Sequence, residues 1–241
     1  MTGALRPWRP ALAMAAALAA TAIVTVAGAQ TTPPSSPTAA PRAPASSLTR
    51  PTPAPKTPNA DGFLQRWLLL EPLPIGGQLT ESAVRTAVGA DDFRNQLTTF
   101  PRDGDMVKMG NSQLTWRAVD TLAYNVNLYH FAYALNRPTS NVLFSIATVV
   151  HAPRDLTDVR LAIGSNAASV WWVNGREVIS IFNDRQTVID DGVSKRITLK
   201  RGANVIRAAI LNAGGATDFC ARFLDAEHRP IKELTVSLTE R

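Results

Sequence analysis

Ala168-Ser-Val-Trp-Trp-Val-Asn-Gly-Arg-Glu-Val178 sets a β-branched and aromatic run, residues 170–173, directly before Asn174-Gly175. Asn-Gly is the dipeptide that best tolerates the two positive φ angles of a type I′ turn. A second run, residues 177–182, follows at once, so the segment reads as a β-hairpin. Downstream, Arg196-Ile-Thr-Leu199 and residues 204–211 flank Lys200-Arg-Gly-Ala203, another turn between strands.

Outward from this hairpin, short apolar runs alternate with turn signals. The pattern predicts strands over 64–70, 105–109, 113–118, 126–134, 142–150, 159–163, 169–173, 177–182, 195–199, 204–211, 219–224 and 232–238. Turns fall at Gly110-Asn111, Asn136-Arg-Pro138, Pro153-Arg-Asp155, Gly164-Ser-Asn166 and Asn212-Ala-Gly-Gly215. Regular short strands without long helical patterns argue a mainly β fold, an antiparallel β-sandwich. One helix is predicted over 80–88, with Thr80 as N-cap and Glu81 in the first turn. A shorter one is predicted over 91–97.

The hairpin and the Lys-Arg-Gly turn resemble the "WVNG…LKxGxN" signature of galactose-binding-like β-sandwiches. These are the jelly-roll modules that serve family 2 glycoside hydrolases as sugar-binding domains. Phe63-Leu-Gln-Arg-Trp-Leu-Leu-Leu-Glu-Pro-Leu-Pro74 is similar to the opening strand of this secreted group, with Glu71 where Gly is usual. Residues 127–135 (NLYHFAYAL) and 165–175 (SNAASVWWVNG) resemble secreted bacterial sequences often named acetylxylan esterase. The resemblance implies a non-catalytic module that binds carbohydrate, of the plant-polysaccharide type. Its alternatives are an acetylxylan esterase and a structural or protein-binding sandwich.

The ends of the chain read differently from its middle. Arg6 and Arg9, an apolar stretch over 11–26 and Ala27-Gly28-Ala29 form a secretory signal cut before Gln30. Export to the periplasm or beyond follows, and with it no stable membrane span after cleavage. Residues 30–60 are rich in Pro, Ser, Thr and Ala and lack acidic groups, which predicts a disordered linker. Residues 61–241 then form a single domain. Five of the 25 basic side chains (Arg6, Arg9, Arg42, Arg50 and Lys56) precede Asp61, and all 19 acidic ones begin there. Twenty cations against 19 anions give the domain no footprint for nucleic acid. Its lone Cys220 permits no internal disulfide and reads as a small buried hydrophobe.

Catalytic residues are not predicted. There is no Gly-x-Ser-x-Gly elbow. Ser112 with Asp225-Ala-Glu-His228 has the spacing of an SGNH-type esterase, but both sets fall in separate turns. His130 reads as a sheet residue and His151 as a strand end, and three unpaired His give no zinc motif. Binding candidates gather around the Trp hairpin: Trp171 or Trp172 as a ring face, and Asn166, Asn183, Asp184, Arg185, Asp190 and Asp191 as hydroxyl partners. Strand alternation sends Trp171 and Trp172 to opposite faces, so a one-sided sheet buries at most one of them and the other is open outside or covered by a neighbouring segment, which would pack both. No cofactor is implied, although Asp190-Asp191 could hold a structural Ca²⁺ with loop carbonyls.

Overall fold

The computed structural model describes residues 47–240 apart from Gln96. The signal-like segment and the start of the linker lie outside the described residues. In chain order the elements are β1 (Leu48–Thr49), β2 (Arg66–Leu70), β3 (Leu73–Pro74), α1 (Glu81–Gly89), α2 (Asp91–Asn95), β4 (Met106–Met109), β5 (Ser112–Thr121), β6 (Val126–Asn127), α3 (Leu128–Ala134), β7 (Val142–Ala152), β8 (Leu156–Ser165), β9 (Ala168–Val173), β10 (Arg176–Ile181), β11 (Gly192–Val193), β12 (Ile197–Leu199), β13 (Gly202–Asn212), β14 (Asp218–Leu224) and β15 (Thr235–Ser237).

These strands form an antiparallel β-sandwich. The larger sheet runs β1-β5-β2-β7-β13-β9-β10, with β3 and β15 also on β7 and β4 on β5. The smaller runs β11-β8-β14-β6, with β12 on β8. The β9–β10 hairpin pairs Val173 with Arg176 across Asn174 and Gly175, at φ 50° and 77°. Both central residues are left-handed, as a type I′ turn requires.

The main core lies between the sheets. Trp67, Trp171 and Phe219 meet edge-on there, with centroids 5.1–6.3 Å apart. A second apolar layer covers the outer face of the larger sheet, where Leu68, Trp116, Trp172 and Ala209 pack beneath Val84 and Val88 of α1 and Phe93 of α2. The larger sheet is therefore covered on both faces, and all six residues of β9 are buried. Each aromatic ring so covered removes roughly 200 Å² from water, worth about 5 kcal/mol.

Two expectations are corrected. Residues 126–134 are strand only at β6; Asn127 then caps α3, its side chain accepting from His130 N at 2.7 Å. Leu128, Phe131 and Ala132 enter the core at helical spacing, so His130 sits on a helix. The described residues thus form three helices where one or two were expected. The second correction concerns residues 47–60, read from composition as linker. They are tied to the domain, with β1 pairing with β5 and Lys56 bridging Val236. Lys56 and Arg66 both reach the buried Asp120 carboxylate, at 3.4 and 2.9 Å. Proline-rich composition left these backbone and charge partners, 60 to 180 residues away, invisible.

Candidate functional site

One end of the sandwich gathers three connections that are remote in sequence. The β8–β9 turn holds Asn166 and Ala167, the latter at φ 73°. Asn166 N donates to Asp218 O at 3.0 Å, and Ala167 N to Arg185 O at 3.2 Å. These bonds tie the turn to β14 and to the β10–β11 loop. That loop is pinned again by Thr187 Oγ1, which donates to Asp218 O at 3.2 Å. In the β13–β14 connection Gly214 N donates to Asn212 Oδ1 at 3.2 Å. The three segments border a shallow, open cleft of about 270 Å³ lined by Asn166, Asp184, Arg185, Gln186, Gly214, Gly215 and Ala216.

The chemistry of this cleft is polar and mixed. Asp184 Oδ1 accepts from Arg185 N at 3.1 Å. Among the described residues, Asp184 Oδ2 and the Asn166 and Gln186 side-chain amides have no protein hydrogen-bond partner. Arg185 is ion-paired with Asp191, while its Nε is buried without a partner. Gly214 and Gly215 leave one wall without side chains, with open space around the Gly215 Cα.

Three of the eight expected residues (Asn166, Asp184 and Arg185) thus converge, and five do not line the cleft. Trp171 is fully buried between the sheets, and Trp172 is 8% exposed under Phe93, 6.0 Å away. Neither offers a ring face, because the second apolar layer covers the side that a one-sided sheet would have left open. Asn183 is exposed and uses its backbone N to hold Leu79 O at 2.8 Å. Asp190 pairs with Arg222, whose Nε lies 2.9 Å from Oδ1. Asp191 acts on the cleft only through Arg185. Asp190 and Asp191 thus have separate arginine partners, Arg222 and Arg185. Gln186 and the Gly214-Gly215-Ala216 wall were not expected. Their signal was the turn composition after Asn212, which marks a side-chain-poor connection without saying what it faces.

The esterase-like residues do other work. Asp225 accepts from the backbone N of Glu227 and Arg229, at 3.0 and 2.8 Å, and from Arg229 Nε at 2.8 Å. The Arg229 backbone and side chain hold its carboxyl below the usual range. Ser112 begins β5, and His151 Nε2 lies 2.8 Å from Ser237 Oγ. Cys220 is buried on β14, and burial pushes its thiol up to about 12. A larger cleft, about 760 Å³, opens on the outer face of the larger sheet between residues 50–55 and 235–239, with His151 and Arg66 on its floor. No described helix is long and apolar enough to cross a membrane.

No family model matches this sequence, and no curated protein matches it. Solved structures do. One is an anti-sigma factor domain-containing protein, 11% identical over 48% of this chain and 40% of that one, with a TM-score of 0.39. A PA14 sugar-binding domain from an RTX adhesin is 10% identical over 70% of this chain and 95% of that one, at 0.43. A β-glucosidase from Kluyveromyces marxianus is 13% identical over 73% of this chain and 20% of that one, at 0.40. This chain spans less than half of the first and a fifth of the third. The likenesses are distant, and none bears on the acetylxylan esterase resemblance.

Proposed function

We propose that this chain is an exported, non-catalytic carbohydrate-binding module, and that the loop-end cleft holds a neutral sugar of a plant-type polysaccharide. The observation that carries the reading is the set of unspent polar groups there: the Asn166 amide from the β8–β9 turn and the Gln186 amide and Asp184 Oδ2 from the β10–β11 loop converge on it. Amides both donate and accept, and a carboxylate accepts, which suits the paired hydroxyls of a sugar ring. Loops already hydrogen-bonded to one another lose little freedom on binding. At about 0.3 kcal/mol per non-hydrogen atom, a ring of roughly twelve such atoms reaches a Kd of about 2 mM.

Calorimetry of the intact protein against xylose, arabinose and galactose oligosaccharides tests this. We expect millimolar binding that Asn166→Ala or Asp184→Ala weakens about tenfold, one net hydrogen bond each. Absence of binding to all of them, or undiminished binding in both variants, contradicts the proposal. A protein-binding role would then rest on the exposed apolar Val188 and Ile189 of the β10–β11 loop.

A further inference from the structure

We propose that Arg117 and Arg137, preset by the buried Glu71, form a binding fork for the carboxylate of an acidic sugar. Glu71 stands at the exit of β2, with a side chain only 2% exposed. Its Oε1 accepts from Arg117 Nε and Nη2, at 3.1 and 2.7 Å, and its Oε2 from Arg137 Nη2 at 2.6 Å. Its backbone N is fixed on Thr115 O at 3.1 Å. One carboxylate therefore holds two guanidinium groups, Arg117 on one oxygen and Arg137 on the other, and the three groups together keep a net positive charge.

Both arginines remain open to solvent, 45% and 42% exposed. A guanidinium carries five N–H donors in a rigid plane. Among the described residues, the Nη1 groups of both arginines and Nε of Arg137 have no protein acceptor. Donors fixed in such a fork match a carboxylate bidentately, and their charge strengthens each bond. The carboxylate that would ordinarily neutralise one arginine is shared between two, so an external anion completes the pairing.

The element that delivers Arg137 argues for a sugar rather than a simple anion. Arg137 N donates to Ala132 O at 2.9 Å in the turn that closes α3. On α3, the Tyr129 and Tyr133 rings lie nearly parallel, 8° apart with centroids at 6.2 Å, and Tyr133 is 64% exposed. An exposed tyrosine face stacks against the C–H face of a pyranose, and Tyr133 lies four residues before Arg137 in the chain. The ligand class is a uronic acid residue, as in acidic polysaccharide. The sugar half of this assignment rests on the proposed function; the anion half stands on the fork alone.

Titration of the full chain, followed by arginine Nε resonances, tests the inference. Glucuronate, glucose, acetate and sulfate are the probes. Glucuronate is expected to shift the Arg137 Nε signal and to bind at least about tenfold more tightly than glucose or acetate. Arg137→Gln should weaken glucuronate binding, read at Arg117 Nε, at least about tenfold, with an unchanged Asn166 amide signal showing that the variant is folded although the buried Glu71 has lost one partner. Indifference of Arg137 to glucuronate, or an equal response to acetate or sulfate, overturns the assignment. Glucose shifts at Asn166 in the same samples report on the loop-end cleft separately, so the two readings fail independently.

Discussion

Gly164 shows how one missing Cβ builds the site. A Cβ there would lie 2.3 Å from Val188 O and 3.0 Å from Cys220 Sγ, so β8 lets the β10–β11 loop lie directly on its backbone. Gly164→Ala is expected to destabilise the fold by about 1–3 kcal/mol through overpacking, read from urea denaturation, and to weaken sugar binding because the displaced loop carries Asp184 and Arg185. Gly175 has a different reason for being glycine: open space surrounds it, and only its φ of 77° matters. Glu71 adds a titrating residue. Burial alone would raise its pKa, but hydrogen bonds and charge from Arg117 and Arg137 together hold it below 4.5. A depressed folded pKa contributes stability that is complete well above the unfolded value and is lost as pH falls through the folded one. Glu71→Gln should therefore cost about 2 kcal/mol at neutral pH, where a hydrogen-bonded charge is lost. The gap between the variant and the parent should narrow as pH falls below the ordinary carboxylate range and close only as it falls through the lowered pKa of Glu71, followed by chemical denaturation. A gap that does not narrow on acidification would show that the carboxylate charge is not what matters.

At the scale of elements, legibility depended on whether a signal was local. The Asn174-Gly175 hairpin was readable because backbone sterics alone select its turn. Thr80 was readable as a cap because its hydroxyl accepts from a residue three positions on, Ala83 N. Residues 128–134 were misread for a reason still visible in the chain: aromatic and β-type residues masked the spacing of Leu128, Phe131, Ala132 and Leu135. The overlooked sign was Asn127, a residue type that favours N-caps, directly ahead of that spacing. Asn127→Ala is expected to cost about 1 kcal/mol and to loosen α3, seen as faster amide exchange at His130. Unchanged exchange would mean that tertiary packing alone holds the helix. Trp172 was illegible for a different reason. Alternation tells which face a side chain takes, not whether α1 and α2 will come to lie over it.

For the whole molecule, two sheets and a helical cover spend every tryptophan of the described chain on packing: Trp67, Trp116, Trp171 and Trp172 are all buried. On the proposed reading, recognition falls to the polar loops at one end and to the surface around α3. That the β8–β9, β10–β11 and β13–β14 connections meet is a property of strand order, which no local pattern reveals. Asn166 and the β10–β11 residues could be nominated together, by their closeness to the hairpin; the β13–β14 wall could not. Export remains part of the proposal, and N-terminal sequencing of secreted protein beginning at Gln30 would agree with it. Retention of residues 11–29 in a membrane fraction would oppose it. The most direct test of the central claim is a map of backbone amide shifts as a neutral xylo- or arabino-oligosaccharide is added to the intact protein. Saturable shifts confined to Asn166, Asp184, Arg185, Gln186, Gly214 and Gly215 are the predicted result. Saturable shifts elsewhere with these amides still, or no shifts at tens of millimolar sugar, roughly tenfold above the expected Kd, would contradict it.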